Sequence, residues 1–242
     1  MAIILFSDFG SSDLYVGQVE AVLDRYAPAV RVIHLLNDAP SFDIEASAHL
    51  LSALAHRVPK GHIFMGVVDP GVGTERGAVV VRADGRWFVG PDNGLFSVIA
   101  ARAAARQFWQ IKVEHEHIAP SFHGRDVFAP MAAAVATEDF PNSNVTPVGG
   151  LQVVLRNEDL AQIIYIDHYG NAFTGLRAAA VSAAAKIAVA GRTIPHARVF
   201  SAVAPGAAVW YENSIGLVEI AVNRGSAAGV LGLSVGEHVQ VV

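Results

Sequence analysis

The sequence predicts an α/β protein with two domains. A sandwich-like N-terminal α/β domain with a mostly parallel sheet is expected over residues 1–145, a linker over 146–158 and a smaller C-terminal β-barrel domain over 159–242. Two observations predict this organisation. In the first part of the chain, apolar strand-like runs alternate with segments of helical periodicity, which is typical of a parallel sheet covered by helices. Beyond residue 137 the helical periodicity fades, and short apolar runs separated by glycine turns indicate a small barrel or sandwich.

The elements of the first domain follow from hydrophobic periodicity and from the residues that interrupt it. In order, the sequence predicts a strand in AIILFSDFG, a helix in DLYVGQVEAVLDRYAP, a strand in VRVIHLL and a helix in DIEASAHLLSALAHRVP. It then predicts a strand and its turn in GHIFMGVVDPGVG, a hairpin in GAVVVRADGRWFVGPDNGL, and helices in FSVIAARAAARQF and FAPMAAAVA. Asp84-Gly85 is the turn signal of the hairpin. Ligands of such sheets bind at the carboxyl ends of the strands, and Asp8 and Asp69 both occupy such ends.

The second domain is predicted from short apolar runs. They are AQIIYIDHYGNAFT, KIAVAGRTI, AAVWYENSIGLVEIAV and EHVQVV. The preceding segment EDFPNSNVTPVGG is rich in proline, asparagine and glycine, which indicates the linker.

The composition excludes several classes of protein. Hydrophobic residues make up 52% and charged residues 16%, which argues against disorder and indicates that some surface is hidden in an oligomer. The net charge is −5 and no basic run is present, so nucleic acid is not an expected partner. No uninterrupted apolar run reaches the ~18 residues needed to span a membrane, so a membrane is not expected either. The absence of cysteine excludes disulfides, thiolate metal sites and a cysteine nucleophile. The N-terminal run MAIILF lacks a basic flank and is too short for a signal peptide, so a cytoplasmic protein is expected.

The stretch VVDPGVGTER, residues 67–76, ends a strand with a carboxylate, a sharp turn and an arginine. Three interpretations compete: a plain turn, a phosphate cradle, or one edge of an active site. The glycine pattern of a phosphate loop is absent, and no helical segment follows, which disfavours the cradle. A plain turn does not require Arg76.

Four further motifs have both a structural and a functional interpretation. In SFHGRDVFAP, Asp126 suits a helix cap or a partner for Arg125, whereas His123 either binds a ligand or is an ordinary surface histidine. Asp92-Asn93-Gly94 is most simply a tight turn that caps the next helix. The alternation in VEHEH, residues 113–117, is explained more simply by an edge strand than by a metal. Glu219, inside LVEIAV, must be either exposed on one face or paired.

Taken together and in order, SDFGSSDLYVG, VVDPGVGTER, FVGPDNGL, FHGRDVFAP and DHYGNAFT resemble the S-adenosylmethionine-dependent chlorinase and fluorinase superfamily. The closer similarity is to its hydrolase branch, the S-adenosylmethionine hydroxide adenosyltransferases. The resemblance runs from Ser7 to about Gly225. It implies an N-terminal α/β domain, a C-terminal β-barrel, and a trimer whose active sites lie between the N-terminal domain of one subunit and the C-terminal domain of the next. It also implies attack on the 5′ carbon of S-adenosylmethionine, which gives adenosine and L-methionine. No metal or other cofactor is expected, because the chain has no cysteine and no paired-histidine helix motif, and a neutral thioether leaving group needs no Lewis acid.

The resemblance also implies roles for individual residues. The water-handling triad of the hydrolase branch corresponds to Asp69, Arg76 and His123. The implied substrate-binding positions are Asp8, which holds the ribose hydroxyls, and the nucleoside and amino-acid positions Phe42, Phe122, Asp167, Tyr169, Asn171, Phe200, Ser214, Glu219, Val222 and Arg224. The halogenases have an arginine immediately after this serine, whereas this chain has Ile215. The binding of the methionine carboxylate is therefore expected to depart from the halogenase pattern.

Two alternatives to hydrolysis stay open at this stage. A halogenase is disfavoured because such members carry a tyrosine where this chain has Asp69 and a small hydroxyl residue where it has Gly124. A non-catalytic nucleoside or S-adenosylmethionine binding protein is disfavoured because a sensor needs no water-handling triad. Either His123 or Asp69 is expected to accept the proton of water, with Arg76 holding Asp69 ionised.

Overall fold

A computed structural model describes residues 1–113, 116, 118–141 and 144–242. The chain forms two compact units. The first comprises Met1–Ala48 and Val58–Asn157, and the second comprises His49–Arg57 and Glu158–Val242. The domain limits inferred from the sequence stay predictions. Within the described part of the chain, no helix has the length and apolar character needed to cross a bilayer.

The described residues of the first unit form a mixed seven-stranded sheet with the order β2-β1-β3-β5-β4-β6-β7. The strands are β1 Ala2–Ser7, β2 Arg31–Leu36, β3 Ile63–Val67, β4 Ala78–Ala83, β5 Arg86–Pro91, β6 Arg106–Ile111 and β7 Val145–Val148. β1 pairs in parallel with β2 and β3, and β3 pairs in parallel with β5, whereas β4, β6 and β7 join by antiparallel pairs. Five of these seven strands therefore run in the same direction, which confirms the mostly parallel sheet.

The helices are α1 Leu14–Tyr26, α2 Ile44–Arg57, α3 Ser97–Arg102 and α4 Ala129–Ala136, and a short π-helix, Gly124–Phe128, leads directly into α4. Helix α2 begins in the first unit, and its residues 49–57 belong to the second. Every residue of β1 and β3 is buried, as expected for central parallel strands covered on both faces. Side chains of α1 and α4 share one apolar core with these strands. The Asp84-Gly85 hairpin is also confirmed, since β4 and β5 pair antiparallel on either side of it.

One predicted element of the first unit is wrong. The helix expected over FSVIAARAAARQF stops at Arg102, and β6 follows from Arg106. Ala103 has an extended backbone with ψ 138°, and β6 then pairs with both β4 and β7. Pairing between distant segments has overridden the local preference of the alanine-rich run.

The described strands of the second unit form two antiparallel sheets. The larger contains β8 Leu160–Ile166, β9 Ala172–Arg177, β12 Ala208–Glu212 and β13 Leu217–Val222, and the smaller contains β10 Ile187–Val189, β11 Arg192–Ile194 and β14 Gln240–Val241. Isolated bridges, Gln162 to His238 and His196 to Trp210, join the edges of the two sheets. The strand order thereby closes as β12-β13-β9-β8-β14-β10-β11, which is a small barrel around one apolar core. The short helix α5, Ala227–Leu231, follows β13.

Candidate active site

The neighbouring strands β1 and β3 both end at one open cavity of about 330 Å³ in the first unit. Asp8 follows β1 directly, and Asp69 follows β3 by two residues. Carboxyl ends of parallel strands meet at one edge of a sheet, so these two carboxylates are brought to the same cavity. Its wall also contains Phe42, Phe122 and His123, all of which were proposed from the sequence.

A tight turn returns Arg76 to Asp69. The amide of Val72 donates to the Asp69 carbonyl at 3.2 Å, and the amide of Thr74 donates to the Gly71 carbonyl at 3.2 Å. The Thr74 hydroxyl donates to the same carbonyl at 2.7 Å and accepts from the Arg76 amide at 3.4 Å. These bonds reverse the chain within seven residues, and Arg76 consequently faces the carboxylate.

The guanidinium of Arg76 connects three groups. Its Nε donates to both Asp69 oxygens, at 2.9 and 3.0 Å, and its Nη2 donates to Oδ2 as well. Nη2 also contacts the Nδ1 of His123 at 3.0 Å, and Nη1 donates to the Gly77 carbonyl at 3.1 Å. The side chains of Arg76 and Asp69 are only 9% and 5% exposed. A buried fork of this kind fixes the orientation of the carboxylate and not only its charge.

His123 is buried and stands at the N-terminal end of the π-helix. A guanidinium carries donors only, so Nδ1 of His123 must be the acceptor in their contact. In the neutral ring the proton is therefore on Nε2. Gly124 is required beside it, because a Cβ at this position would lie 2.8 Å from the ring of Phe9.

Asp8 also lines this cavity, and its amide donates to the Val67 carbonyl at 3.3 Å. Its Oδ2 accepts from the amide of Phe42 at 3.2 Å, and Phe42 has a positive φ of 64°. Burial raises the pKa of Asp8 above its ordinary value of 3.8, and the charge of Asp69 adds to the shift. The ring of Phe42 is exposed, so it presents an apolar face at the mouth of the cavity.

Three packed aromatic rings also line the cavity, and the sequence identified only Phe122 among them. Phe9 and Tyr15 contact Phe122 edge to face, at centroid distances of 5.7 and 5.3 Å. Both belong to the motif SDFGSSDLYVG, of which only Asp8 was assigned a role. Their spacing on either side of the Gly10 turn was the available signal.

The other predicted substrate-binding residues lie in the second unit. Asp167 follows β8 and closes the turn to β9: its carboxylate accepts from the amides of Tyr169 and Asn171 at 2.9 and 2.8 Å, and from the Asn171 side chain at 3.2 Å. The ring of Tyr169 is 75% exposed. Asp167 is therefore held firmly by its own turn, whereas Tyr169 projects outward.

Glu219 is buried in β13 and paired, so the exposed-face alternative is wrong. The hydroxyl of Tyr211, directly opposite on β12, donates to its carboxylate. Burial raises the pKa of Glu219 above its ordinary value, and the charge of Asp167 contributes to the same shift. Tyr211 was missed by the sequence analysis, although strand pairing across a short turn predicts it as the neighbour of Glu219.

Four predicted positions surround these elements. Ser214 lies in the exposed turn between β12 and β13, and Phe200 lies in a short 3₁₀-helix with its ring 6.4 Å from that of Tyr211. Val222 is buried at the end of β13, and its carbonyl accepts from Gly225 at 3.1 Å. Arg224 has a positive φ of 59° within the turn that this bond closes.

Asp126 has the structural role that the sequence favoured. Its carboxylate accepts two hydrogen bonds from Arg125, at 2.7 and 2.9 Å, and one from the amide of Ala119 at 2.8 Å. The Arg125 guanidinium lowers the pKa of this carboxylate. Within the described residues, no group of three metal-ligating side chains is present. Residues 114, 115 and 117 of the VEHEH stretch lie outside the described residues.

Comparisons with known proteins agree with this division into two units. The family model described as SAM hydroxide adenosyltransferase N-terminal domain matches residues 3–146, and the model for the C-terminal domain matches residues 161–240. The chain is 39% identical to a protein of Thermus thermophilus named (R)-S-adenosyl-L-methionine hydrolase, with 99% of each chain covered. A protein of Salinispora arenicola with the same name is 33% identical, over 97% of this chain and 95% of its own length.

Solved structures extend the similarity to the fold. A crystal structure of an uncharacterized conserved protein from Thermotoga maritima matches with a TM-score of 0.87 and 27% identity, over 99% of both chains. A conserved hypothetical protein from Thermus thermophilus matches with a TM-score of 0.78 and 36% identity, over 100% of this chain and 99% of the other.

Proposed function

The chain belongs to the S-adenosylmethionine hydroxide adenosyltransferase family, and from that premise we propose that it hydrolyses S-adenosyl-L-methionine to adenosine and L-methionine. Relatives named (R)-S-adenosyl-L-methionine hydrolase cover the full length of the chain and support this enzyme class. The observation that carries the proposal is the buried network of Asp69, Arg76 and His123 at the wall of an open cavity.

The reaction needs little beyond a well-placed water. The water oxygen forms a bond to the 5′ carbon while the bond from that carbon to sulfur breaks, and the sulfonium leaves as a neutral thioether with the electron pair. No acid or metal is needed for such a leaving group. Alignment of the two reactants can remove roughly 7–11 kcal/mol of the barrier in favourable cases.

Asp69 is the group that accepts the proton of water. The Nδ1 of His123 accepts from Arg76, and in the neutral ring Nε2 carries a proton, so the imidazole is not available as a base while this contact persists. Asp69 retains lone pairs that Arg76 does not use, and it lines the cavity. A weak base suffices here, because the attacking water becomes strongly acidic as its bond to carbon forms.

Asp8 would hold the ribose, since one carboxylate can accept from two neighbouring hydroxyls. Phe42 and Phe122 would contact the nucleoside. In the second unit, Asp167 would face a cationic part of the substrate, because a carboxylate favours nearby positive charge, and Glu219 would contribute a further polar contact. Asn171, Phe200 and the turn around Ser214 would contribute further contacts with adenine and the amino acid.

We also propose that the active protein is a cytoplasmic homotrimer, with each site completed by the C-terminal domain of a neighbouring subunit. The high apolar fraction of 52% and the exposed ring of Tyr169, which is predicted to bind substrate, support this. We propose that no metal or cofactor is required, because the sulfonium leaves as a neutral thioether, and that the partner is a small molecule, not a nucleic acid or a membrane.

The proposal is tested by incubating the purified protein with S-adenosyl-L-methionine and identifying the products by mass spectrometry. Equal amounts of adenosine and L-methionine are expected. A 5′-halo-adenosine formed only when chloride or fluoride is added would support the halogenase instead. Bound but unconverted substrate would support a binding protein. An Asp69→Ala variant purified in parallel controls for contaminating hydrolases.

A further inference from the structure

The turn Asp92–Asn93–Gly94 was expected to cap the following helix, and that prediction is wrong. Helix α3 begins at Ser97 with Phe96 as its N-cap, and among the described residues no side chain bonds to that cap. The side chain of Asn93 and the amide of Asp92 instead donate to two backbone carbonyls, one just after β3 and one just before β4. This motif has so far received no function.

The side chain of Asn93 anchors the chain just before Asp69. Its Nδ2 donates to the Val68 carbonyl at 2.8 Å, while its Oδ1 accepts from the amide of Leu95 at 3.2 Å. Val68 is fully buried and lies one residue beyond the end of β3. The bond therefore fixes the peptide group that joins Val68 to Asp69.

The backbone of Asp92 anchors the chain just after Arg76. Its amide donates to the Gly77 carbonyl at 2.9 Å, and the same carbonyl accepts from Nη1 of Arg76 at 3.1 Å. Asp92 is itself buried, and its Oδ2 accepts from the amide of Gln152 at 3.0 Å. The turn thus touches the second end of the loop and, through one carbonyl, the guanidinium itself.

The sheet order explains why one turn reaches both ends. β5 lies between β3 and β4, and the loop 69–76 crosses from the end of β3 to the start of β4. The turn that follows β5 consequently lies between the two ends of that loop. Its conformation depends on Gly94, which has a φ of +106° and would bring a Cβ to 2.9 Å from the side chain of Leu155.

We propose that Asn93 is a positioning residue, and that its turn clamps the loop 69–76 so that Asp69 and Arg76 are held in their reactive geometry. The inference rests on the proposed function, because the pair must act on water for its placement to affect turnover. A displacement of about 1 Å in a reacting group can cost on the order of 100-fold in rate. Asn93 does not line the cavity, so it should affect turnover and leave nucleoside binding unchanged.

The test compares Asn93→Ser with the wild type and with Thr137→Val. Serine can still accept from the Leu95 amide but is too short to reach Val68, and it adds no charge. Thr137→Val is the matched control, because it also removes one side-chain donor to a backbone carbonyl, that of Ala133 at 3.0 Å, at the end of α4. Asn93→Asp is a second variant that keeps the side-chain size.

Both Asn93 variants should lower kcat for adenosine release by about 10- to 100-fold, with the Kd of adenosine within about 3-fold and full binding stoichiometry by calorimetry. Thr137→Val should keep the wild-type kcat. In an Arg76→Ala background, Asn93→Ser should lower kcat by less than about 3-fold, because the geometry it protects is already lost. The proposal would be overturned if the effects of Asn93→Ser and Arg76→Ala on kcat were fully additive, or if Thr137→Val lowered kcat as much as Asn93→Ser.

A second readout does not depend on activity. The Nε–H proton of Arg76, held between both Asp69 oxygens, should exchange slowly with solvent in NMR spectra. Its exchange should accelerate in Asn93→Ser and not in Thr137→Val. Unchanged exchange would refute the clamp, whereas a wild-type protein that releases no adenosine would refute the proposed function alone.

Discussion

Replacing Arg76 with lysine keeps the charge beside Asp69 and removes the fork that joins Asp69, His123 and Gly77. The guanidinium reaches these three groups from three different nitrogens. A lysine ammonium has its donors on a single atom, so it can stay with Asp69 but cannot hold His123 and the Gly77 carbonyl as well. Arg76→Lys therefore tests whether orientation of the pair matters beyond its charge.

The expected loss can be worked from these contacts. Without the fork, the Asp69 carboxylate and the His123 ring lose the group that fixes their orientation, and a displacement of about 1 Å in a reacting group can cost on the order of 100-fold in rate. We therefore expect kcat to fall by roughly 100-fold, which corresponds to about 2.7 kcal/mol in the activation barrier.

The assay is adenosine release at saturating S-adenosyl-L-methionine, with calorimetric binding of adenosine measured beside it. Arg177→Lys is the matched control, because Arg177 also pairs with an aspartate, Asp159 at 2.6 Å, in the second unit and outside the proposed site. Adenosine affinity should stay near the wild-type value in both variants. A kcat for Arg76→Lys within about 3-fold of wild type would refute the role of orientation and would mean that Arg76 acts through its positive charge alone.

Further predictions concern Asp8, two glycines and the Arg125–Asp126 pair. Asp8→Asn should weaken adenosine binding by about 10- to 100-fold and change kcat less, because the hydrogen bonds of Asp8 form in ground state and transition state alike. Burial raises the pKa of Asp8, so the affinity of the wild type for adenosine should already fall above pH 3.8. An affinity that stays constant from pH 7 to 3.8 would contradict this. Gly73→Ala should lower the free energy of unfolding by roughly 1–3 kcal/mol, because Gly73 has a φ of +79° and a Cβ would lie 2.5 Å from a backbone oxygen. Gly17→Ala, in open space on α1, should slightly raise the free energy of unfolding. Equal changes in Tm for the two variants would contradict this difference. Arg125 lowers the pKa of Asp126 in the folded state, so the pair stabilises the fold fully above pH 3.8 and loses its effect as the pH falls through that lowered pKa. The difference in the free energy of unfolding between wild type and Asp126→Asn, measured with urea, should therefore shrink only in that acid range.

The sequence predicted those parts of the site that are encoded locally. Asp69 and Arg76 are seven residues apart on one turn, and the strand end followed by glycines marked this stretch, but three interpretations stayed open until the family resemblance implied that the two residues act together. Asp8 was likewise predicted from its place at the end of an apolar run. The prediction that Glu219 is either paired or exposed follows from the cost of burying a charge, and the structure identifies Tyr211 as its partner.

The features that the sequence missed depend on contacts between distant segments. The alanine-rich run before β6 has helical periodicity, and only pairing with β4 and β7 makes residues 106–111 a strand. The bond from Asn93 to Val68 spans 25 positions and depends on β5 lying between β3 and β4, an order that local patterns do not encode.

The central claim, that one water held by Asp69, Arg76 and His123 attacks the 5′ carbon, is tested most directly by running the reaction in ¹⁸O-labelled water. Mass spectrometry of the products should locate one ¹⁸O atom in the 5′ hydroxyl of adenosine and none in L-methionine. A label in the amino-acid product together with methylthioadenosine, or adenosine without the label, would contradict the account.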